Sequence, residues 1–135
     1  SEPADPSEEA ASEPTNTPIP LADSYDEMTA AAEDMTDAQW KAYQDDQKGK
    51  RIDGWTGWVS DVNEKLLGGY ELWVDLDSPE AILSAQDVYF DIGEDRALEV
   101  SKEEKVRFSG VVEGVTRTMG SVSIRLEDAT WETIE

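Results

Sequence analysis

The feature that most constrains this chain is a change of hydrophobic period near Lys50. Before Lys50 the apolar side chains recur at helical spacing, and after it they alternate with polar side chains at every second position. Alternation of this kind is typical of half-buried strands. The pattern predicts a short helix over 94–100 and five strands, which cover 51–62, 70–76, 87–92, 105–115 and 121–126. Trp131 and Ile134 either extend the fifth strand or form a short final piece.

The first and fourth of these strands share one sequence pattern. Residues 55–62 and 108–115 each read aromatic, hydroxyl, Gly, large apolar, Val, two variable positions, Val. The spacing of three between the valines interrupts strict alternation, which predicts a β-bulge in each strand. Gly57 and Gly110 permit sharp bending at matching positions. Two long strands that bend alike favour a closed barrel over an open sheet.

Three strands, a connecting helix and two further strands are the element order of an OB-fold. We therefore predict a mainly β domain: a five-stranded, OB-fold-like closed barrel, with helices on its N-terminal side and a short helix between strands three and four. The residues that we expect in its core are Ile52, Trp55, Val59, Leu72, Val74, Leu76, Val88, Phe90, Val106, Phe108, Val112, Val122, Ile124 and Leu126.

Two helix-start signatures precede the barrel. Ser24 with Glu27, and Thr36 with Gln39, each have the spacing of a capping box, in which two side chains satisfy opening backbone donors. Gly49 is suited to the left-handed position that ends a helix. We expect these helices to pack on one end of the barrel.

Composition divides the chain into three parts. Residues 1–23 hold six acids, no base and five of the six prolines. Such a segment buries too little apolar surface to offset the entropy of ordering, so we expect a disordered acidic linker there. A helical segment over 24–48 and the barrel over 49–135 complete the division.

Charge and residue types exclude several classes of function. The chain carries 32 acids against 11 bases, a net charge of −21, which disfavours nucleic acid and anionic membranes as partners. It has neither Cys nor His, and therefore no thiolate, imidazole or Cys/His zinc chemistry. No stretch approaches the ~20 apolar residues that span a bilayer. We predict no enzymatic activity, no cofactor and no metal site.

Three motifs carry a resemblance to a known group of proteins. They are Gly-Lys-x-Ile over 49–52, aromatic-Thr-Gly-x-Val over 55–59, and Glu-Lys-Val-x-Phe-Ser-Gly-Val-Val over 104–112. Across about 37–131 the chain resembles bacterial exported OB-fold proteins of the tRNA_anti-like type, many of them lipoproteins of unknown function. The resemblance implies the barrel but no catalytic residue and no RNA binding. With the linker composition, it predicts an extracytoplasmic, membrane-tethered protein with a lipid anchor upstream of Ser1.

The outer face of strands two and three is the candidate binding surface. Alternation points Trp73 and Tyr89 outward, with Trp58 as a neighbour. Aromatic rings on this face of an OB barrel stack flat groups or sugars, and carboxylates around them favour a neutral or cationic guest. The carboxylates that alternation places around these rings are Glu71, Asp75, Asp87 and Asp91, and of these we expect Glu71, Asp75 and Asp91 to take part in binding.

Several interpretations of this surface stay open at the level of sequence. The leading one is a surface-tethered binding or interaction module for a protein, peptide or glycan. A second is a structural envelope or assembly component without a small ligand, and a third, the least supported, is single-stranded nucleic-acid binding. The rings themselves could also lie under the N-terminal helices, or serve only as a cross-strand pair that stiffens the sheet.

Overall fold

A computed structural model describes residues 18–76, 87–118 and 121–135. Residues 1–17 of the linker predicted over 1–23 lie outside these ranges, as do residues 119–120 between the fourth and fifth strands. In chain order, the elements of the described part are α1 (Tyr25–Asp34), α2 (Asp37–Gln47), β1 (Arg51–Glu64), β2 (Tyr70–Asp75), β3 (Val88–Ile92), α3 (Glu94–Ala97), β4 (Lys105–Thr118) and β5 (Ser121–Ile134).

The strands form a closed barrel in the order β1-β2-β3-β5-β4, and β4 returns to β1. Neighbouring strands are antiparallel except β3 and β5, which are parallel. This arrangement confirms the predicted mainly β, OB-fold-like barrel with its short helix between the third and fourth strands. β5 continues to Ile134, well beyond the predicted end at Leu126, because its second half pairs with the start of β4.

The predicted bulges are present in both long strands. Against β2, the register of β1 shifts between Val59 and Asp61. Against β5, the register of β4 shifts between Val112 and Gly114. The valine spacing therefore located both irregularities correctly.

A further bend in β1 lies at Gly54 rather than at Gly57. Gly54 has a φ of +64°, in the left-handed region that favours glycine, and it sits within the register shift between Ile52 and Trp55. Gly57 is instead buried against the neighbouring strand, where the lack of a side chain is what matters.

The core fills the barrel and continues into the helices. Twelve of the fourteen predicted core residues are buried, while Trp55 and Leu76 are partly buried and pack against the others. Phe90 and Phe108 meet in the interior with their ring centroids 5.8 Å apart. Further buried apolar residues are Met28, Ala32, Trp40, Ile92, Ala97 and Val115.

The helices begin at the predicted caps. Ser24 and Thr36 each cap a helix, and both halves of each capping box are present. α1 contacts β5 and α2 contacts β4, so the pair closes the barrel end at which β5 begins. Tyr25 fastens α1 there, because its hydroxyl donates hydrogen bonds to Asp87 Oδ1 (2.8 Å) and to the carbonyl of Val122 (2.6 Å).

The last residues of the predicted linker are part of the fold. The amide of Leu21 donates to the carbonyl of Arg51 (2.7 Å), and the amide of Arg51 donates to the carbonyl of Ile19 (2.8 Å). Pro20 forms an isolated parallel bridge with Arg51. The chain therefore joins the sheet at residue 19, earlier than the composition indicated.

Candidate binding face

Two stacked rings occupy the middle of the outer face. Trp73 of β2 and Tyr89 of β3 are direct partners in the strand register, with centroids 4.0 Å apart and planes 15° from parallel. The same register places Asp61 of β1 beside Trp73 and Arg125 of β5 beside Tyr89. Both rings are half-buried, so each keeps an accessible part.

Arg125 organises the charges around this ring pair. Its guanidinium lies 5.4 Å from the centroid of the Tyr89 ring. It also donates to three carboxylates from three different strands: Glu71 Oε2 at 2.6 Å, Glu113 Oε1 at 2.9 Å and Asp91 Oδ1 at 3.1 Å. A cation shared in this way holds the acids in place and removes most of their mutual repulsion.

Asp91 has a second cationic partner. Lys65, at the end of the β1–β2 hairpin, donates to Asp91 Oδ2 at 2.9 Å. Partial burial by itself would raise the pKa of Asp91, but the Lys65 hydrogen bond and the Arg125 charge outweigh it, and the pKa is lowered. The hydrogen bond to Glu71 raises the pKa of Arg125, with further support from Glu113 and Asp91. Both shifts favour the charged forms of Asp91 and Arg125.

The structure brings together four of the six predicted site residues: Trp73, Tyr89, Glu71 and Asp91. Trp58 is the strand partner of Asp75 rather than of Trp73, and its ring lies 5.4 Å from Lys105 Nζ. It belongs to the neighbouring part of the surface.

Asp75 does not belong to the surface, which corrects the expectation from alternation. It is only 5% exposed. The backbone of β1 approaches it closely, since a Cβ on Gly57 would lie 2.8 Å from the Asp75 carbonyl oxygen. Asp75 is therefore buried although alternation points it outward.

Asp87, which alternation also places outward, is a buried residue that links a helix to the sheet. It is 2% exposed and accepts hydrogen bonds from the Tyr25 hydroxyl and, at 2.8 Å, from the amide of Leu76. Its carboxylate therefore joins α1 to the edge of β2 and contributes nothing to a binding surface.

Sequence reasoning missed Lys65, Glu113 and the central role of Arg125. Alternation does place Arg125 outside, but no local signal tells which of the many carboxylates it meets. It also missed the tip of the β1–β2 hairpin, where Leu66 is 100% and Leu67 97% exposed. The available signal was a pair of leucines directly before the Gly68-Gly69 turn.

A cleft of about 630 Å³ lies beside the start of α1, between Leu21 and Trp55. Two of its three acidic groups, Asp23 and Glu27, are hydrogen-bonded to the helices. Asp23 accepts a hydrogen bond from the Tyr43 hydroxyl (2.7 Å), and Glu27 completes the α1 capping box. Within the described residues, no group of three or more acids is placed to hold a metal ion. The same residues contain no helix long and apolar enough to cross a membrane.

Comparison with known proteins adds little to this description. No family model and no curated protein matches the chain. Among solved structures, a chain of the S. pombe Stn1–Ten1 complex is 20% identical with a TM-score of 0.35, and the likeness covers 63% of this chain and 57% of that one. The match thus spans less than two thirds of that chain, and a similarity this low supports no argument about function. The OB-fold assignment rests on the strand order and pairing of the protein itself.

Proposed function

We propose that this protein is a non-catalytic binding module that holds its partner on the outer face of β2, β3 and β5. The observation that carries the proposal is the Trp73–Tyr89 stack, half-buried at the centre of that face. Rigid, partly accessible rings supply apolar contact area at a low cost in conformational entropy, and for this reason Tyr and Trp are enriched in binding surfaces.

The helices support this proposal by where they dock. Their polar contacts reach Asp87, Val115, Arg117 and Val122, at the end of the barrel and on β4.

The ring pair also stiffens the sheet as a cross-strand contact, and such a contact is compatible with binding because it holds both rings in one orientation.

The charges define the kind of guest. Around the ring pair, the carboxylates of Asp61, Glu71, Asp91 and Glu113 outnumber the cations of Lys65 and Arg125. The face therefore keeps a negative potential, which favours a neutral or cationic partner such as a peptide, protein or glycan and repels phosphate.

The tethered, extracytoplasmic location is part of the proposal and is supported by the composition of residues 1–23. Its test is fractionation of cells that express the complete gene product, followed by mass spectrometry of the mature N-terminus. A soluble cytoplasmic product without a lipid would contradict the proposed location and leave the binding face untouched.

The binding role is tested with the double variant Trp73→Ala/Tyr89→Ala. Wild-type and variant protein are titrated against a panel of synthetic peptides and oligosaccharides of defined composition. We expect the ligands that bind the wild type to lose at least tenfold in affinity. Trp131→Ala is the control, because Trp131 packs under Arg96 (3.8 Å) on a different part of the surface.

Equal affinity of wild type and double variant for every bound ligand would contradict the proposed face. If the double variant lost only stability, measured by urea unfolding, the ring pair would have a structural role alone. Circular dichroism of each variant establishes that the barrel is folded before any affinity is compared.

A further inference from the structure

The β1–β2 hairpin presents two leucines to solvent in a well-formed turn. Leu66 is 100% and Leu67 97% exposed. The amide of Lys65 donates to the Gly69 carbonyl (2.9 Å), and the amide of Gly68 donates to the Lys65 carbonyl (3.1 Å). Gly68 and Gly69 both have positive φ values, which they adopt without strain. The turn therefore holds the leucines, which we name the hairpin tip, away from the barrel.

The hairpin tip is continuous with the binding face. Lys65, directly before the tip, is bound to Asp91, and Asp91 is bound to Arg125, whose guanidinium lies over the Tyr89 ring. These contacts fix the base of the hairpin against the strands that carry the ring pair. The hairpin tip, the charged network and the stacked rings thus form one surface.

The dimensions of this surface match a short helix. Leu67 and Trp73 lie six positions apart in the chain. At about 3.3 Å per residue, the distance between them is at most ~20 Å. An α-helix of ~14 residues has this length, at 1.5 Å per residue. An amphipathic helix lays its apolar side chains on such a surface in a recurring mode of peptide recognition.

We propose that the hairpin tip is the apolar anchor for a cationic amphipathic segment of a partner protein, which extends from Leu66 and Leu67 to the Trp73–Tyr89 pair. The inference rests on the proposed function of the outer face and names the class of its partner. Leucines of the partner segment cover the hairpin tip and the rings, and its Lys and Arg side chains meet Asp61, Glu71 and Glu113.

Charge favours a basic protein segment over a lipid surface as the occupant. A chain of net charge −21 is repelled by anionic headgroups, whereas the same charge attracts a basic peptide. Against a neutral bilayer, two leucines on a protein this strongly hydrated provide little insertion area. Phosphatidylcholine vesicles therefore serve as a competing probe in the test.

The probe is a designed 14-residue amphipathic helix of Leu and Lys, with a Leu and Glu peptide of the same pattern as its counterpart. Titrations at 150 mM and 500 mM NaCl compare wild type with Leu66→Ser/Leu67→Ser. We expect the leucine variant to bind the Lys peptide at least tenfold more weakly at both salt concentrations. The Glu peptide is expected not to bind. Ile19→Ser, a 69% exposed apolar residue away from the hairpin, is the matched control and should bind like wild type.

Each outcome decides the inference. If the leucine variant bound the Lys peptide as tightly as wild type does, the attraction would come from charge alone and the inference would be overturned. If wild type did not bind the Lys peptide at all, the inference would be overturned as well. Leucine-dependent binding to phosphatidylcholine vesicles in place of the peptide would overturn it in favour of a membrane contact. Loss of binding in the leucine variant but not in Trp73→Ala/Tyr89→Ala would contradict the proposed function of the ring pair. Loss of binding in Trp73→Ala/Tyr89→Ala but not in the leucine variant would retain the proposed function and overturn the role of the hairpin tip.

Discussion

Gly57 shows how one missing side chain closes the barrel. A Cβ at this position would lie 2.5 Å from Val74 Cγ1 and 2.8 Å from the carbonyl oxygen of Asp75, and the second of these is backbone that cannot rotate away. We expect Gly57→Ala to lower the free energy of unfolding by about 1–3 kcal/mol, as overpacking of a tight interior does. Urea unfolding followed by tryptophan fluorescence measures the change.

Gly114→Ala is the matched control for that substitution. Gly114 also lies in a bulged long strand, but a Cβ there meets nothing within 4 Å. The free energy of unfolding of Gly114→Ala should stay within ~0.5 kcal/mol of the wild-type value. If both alanine variants were equally destabilised, close packing at Gly57 would not be the cause.

Arg125 is the residue on which the charges of the outer face depend. Arg125→Met leaves Glu71, whose side chain is 17% exposed, without its 2.6 Å partner. We expect a loss of about 1–3 kcal/mol at pH 7, the cost of a poorly solvated acceptor that has lost its donor. Arg107→Met is the control, since Arg107 and Glu132 form a largely exposed pair worth ~0–1 kcal/mol.

The pH dependence of the Arg125→Met loss follows from Asp91. Its pKa is lowered in the folded protein, so its stabilising contribution is complete above the unfolded value of ~3.9 and disappears as pH falls through the folded value. The difference between wild type and Arg125→Met should therefore shrink in unfolding curves measured from pH 7 to pH 3. A difference that grew toward low pH would contradict the assigned network.

At the scale of elements, one arginine of the barrel joins both helices to it. Arg117 of β4 donates to the carbonyls of Ala32 (2.7 Å) and Met35 (2.9 Å) at the end of α1, and to Asp37 Oδ1 (2.7 Å) at the start of α2. Its guanidinium also lies 5.2 Å from the ring of Trp40. A cation at the last carbonyls of a helix satisfies groups that lack a partner within that helix.

We expect Arg117→Met to loosen the helices without opening the barrel. Hydrogen exchange of the α1 and α2 amides should accelerate about tenfold or more, while amides in the centre of β2, β3 and β5 stay at wild-type rates. Arg96→Met is the control, because Arg96 also stacks on a tryptophan and binds a carbonyl, that of Trp131 (3.0 Å), but it belongs to α3 and these contacts are with β5, not with α1 or α2. Uniform acceleration across the barrel would show that helices and barrel unfold as one unit.

The elements differ in how well sequence predicts them. The helix starts, the five strands and the two valine bulges were predicted because capping and alternation act between residues a few positions apart. The second half of β5 stayed open between an extension of the strand and a separate short piece, since Asp128 and Glu132 interrupt alternation there and only pairing with β4 holds it in the sheet. The third helix ends at Ala97, earlier than predicted, and leaves Leu98 exposed.

For the whole molecule, charge opposes the nucleic-acid ligands that many OB barrels bind. The net charge is −21, and on the outer face the cations Lys65 and Arg125 are already occupied by carboxylates. We expect no binding of a 20-nucleotide oligothymidylate at 150 mM NaCl, measured by fluorescence anisotropy. Affinity that rises steeply as salt is lowered would reveal phosphate contacts and contradict this prediction.

The sequence by itself determined the barrel, its core and the outward direction of Trp73 and Tyr89, because hydrophobic periodicity is a local property that survives without knowledge of the partner strands. Only the tertiary structure decided which polar residues form the surface. Glu71 and Arg125 meet across 54 positions of chain through strand register, and Asp75 is buried although alternation points it outward. Contacts of this kind depend on closure of the barrel, and no window of neighbouring residues contains them.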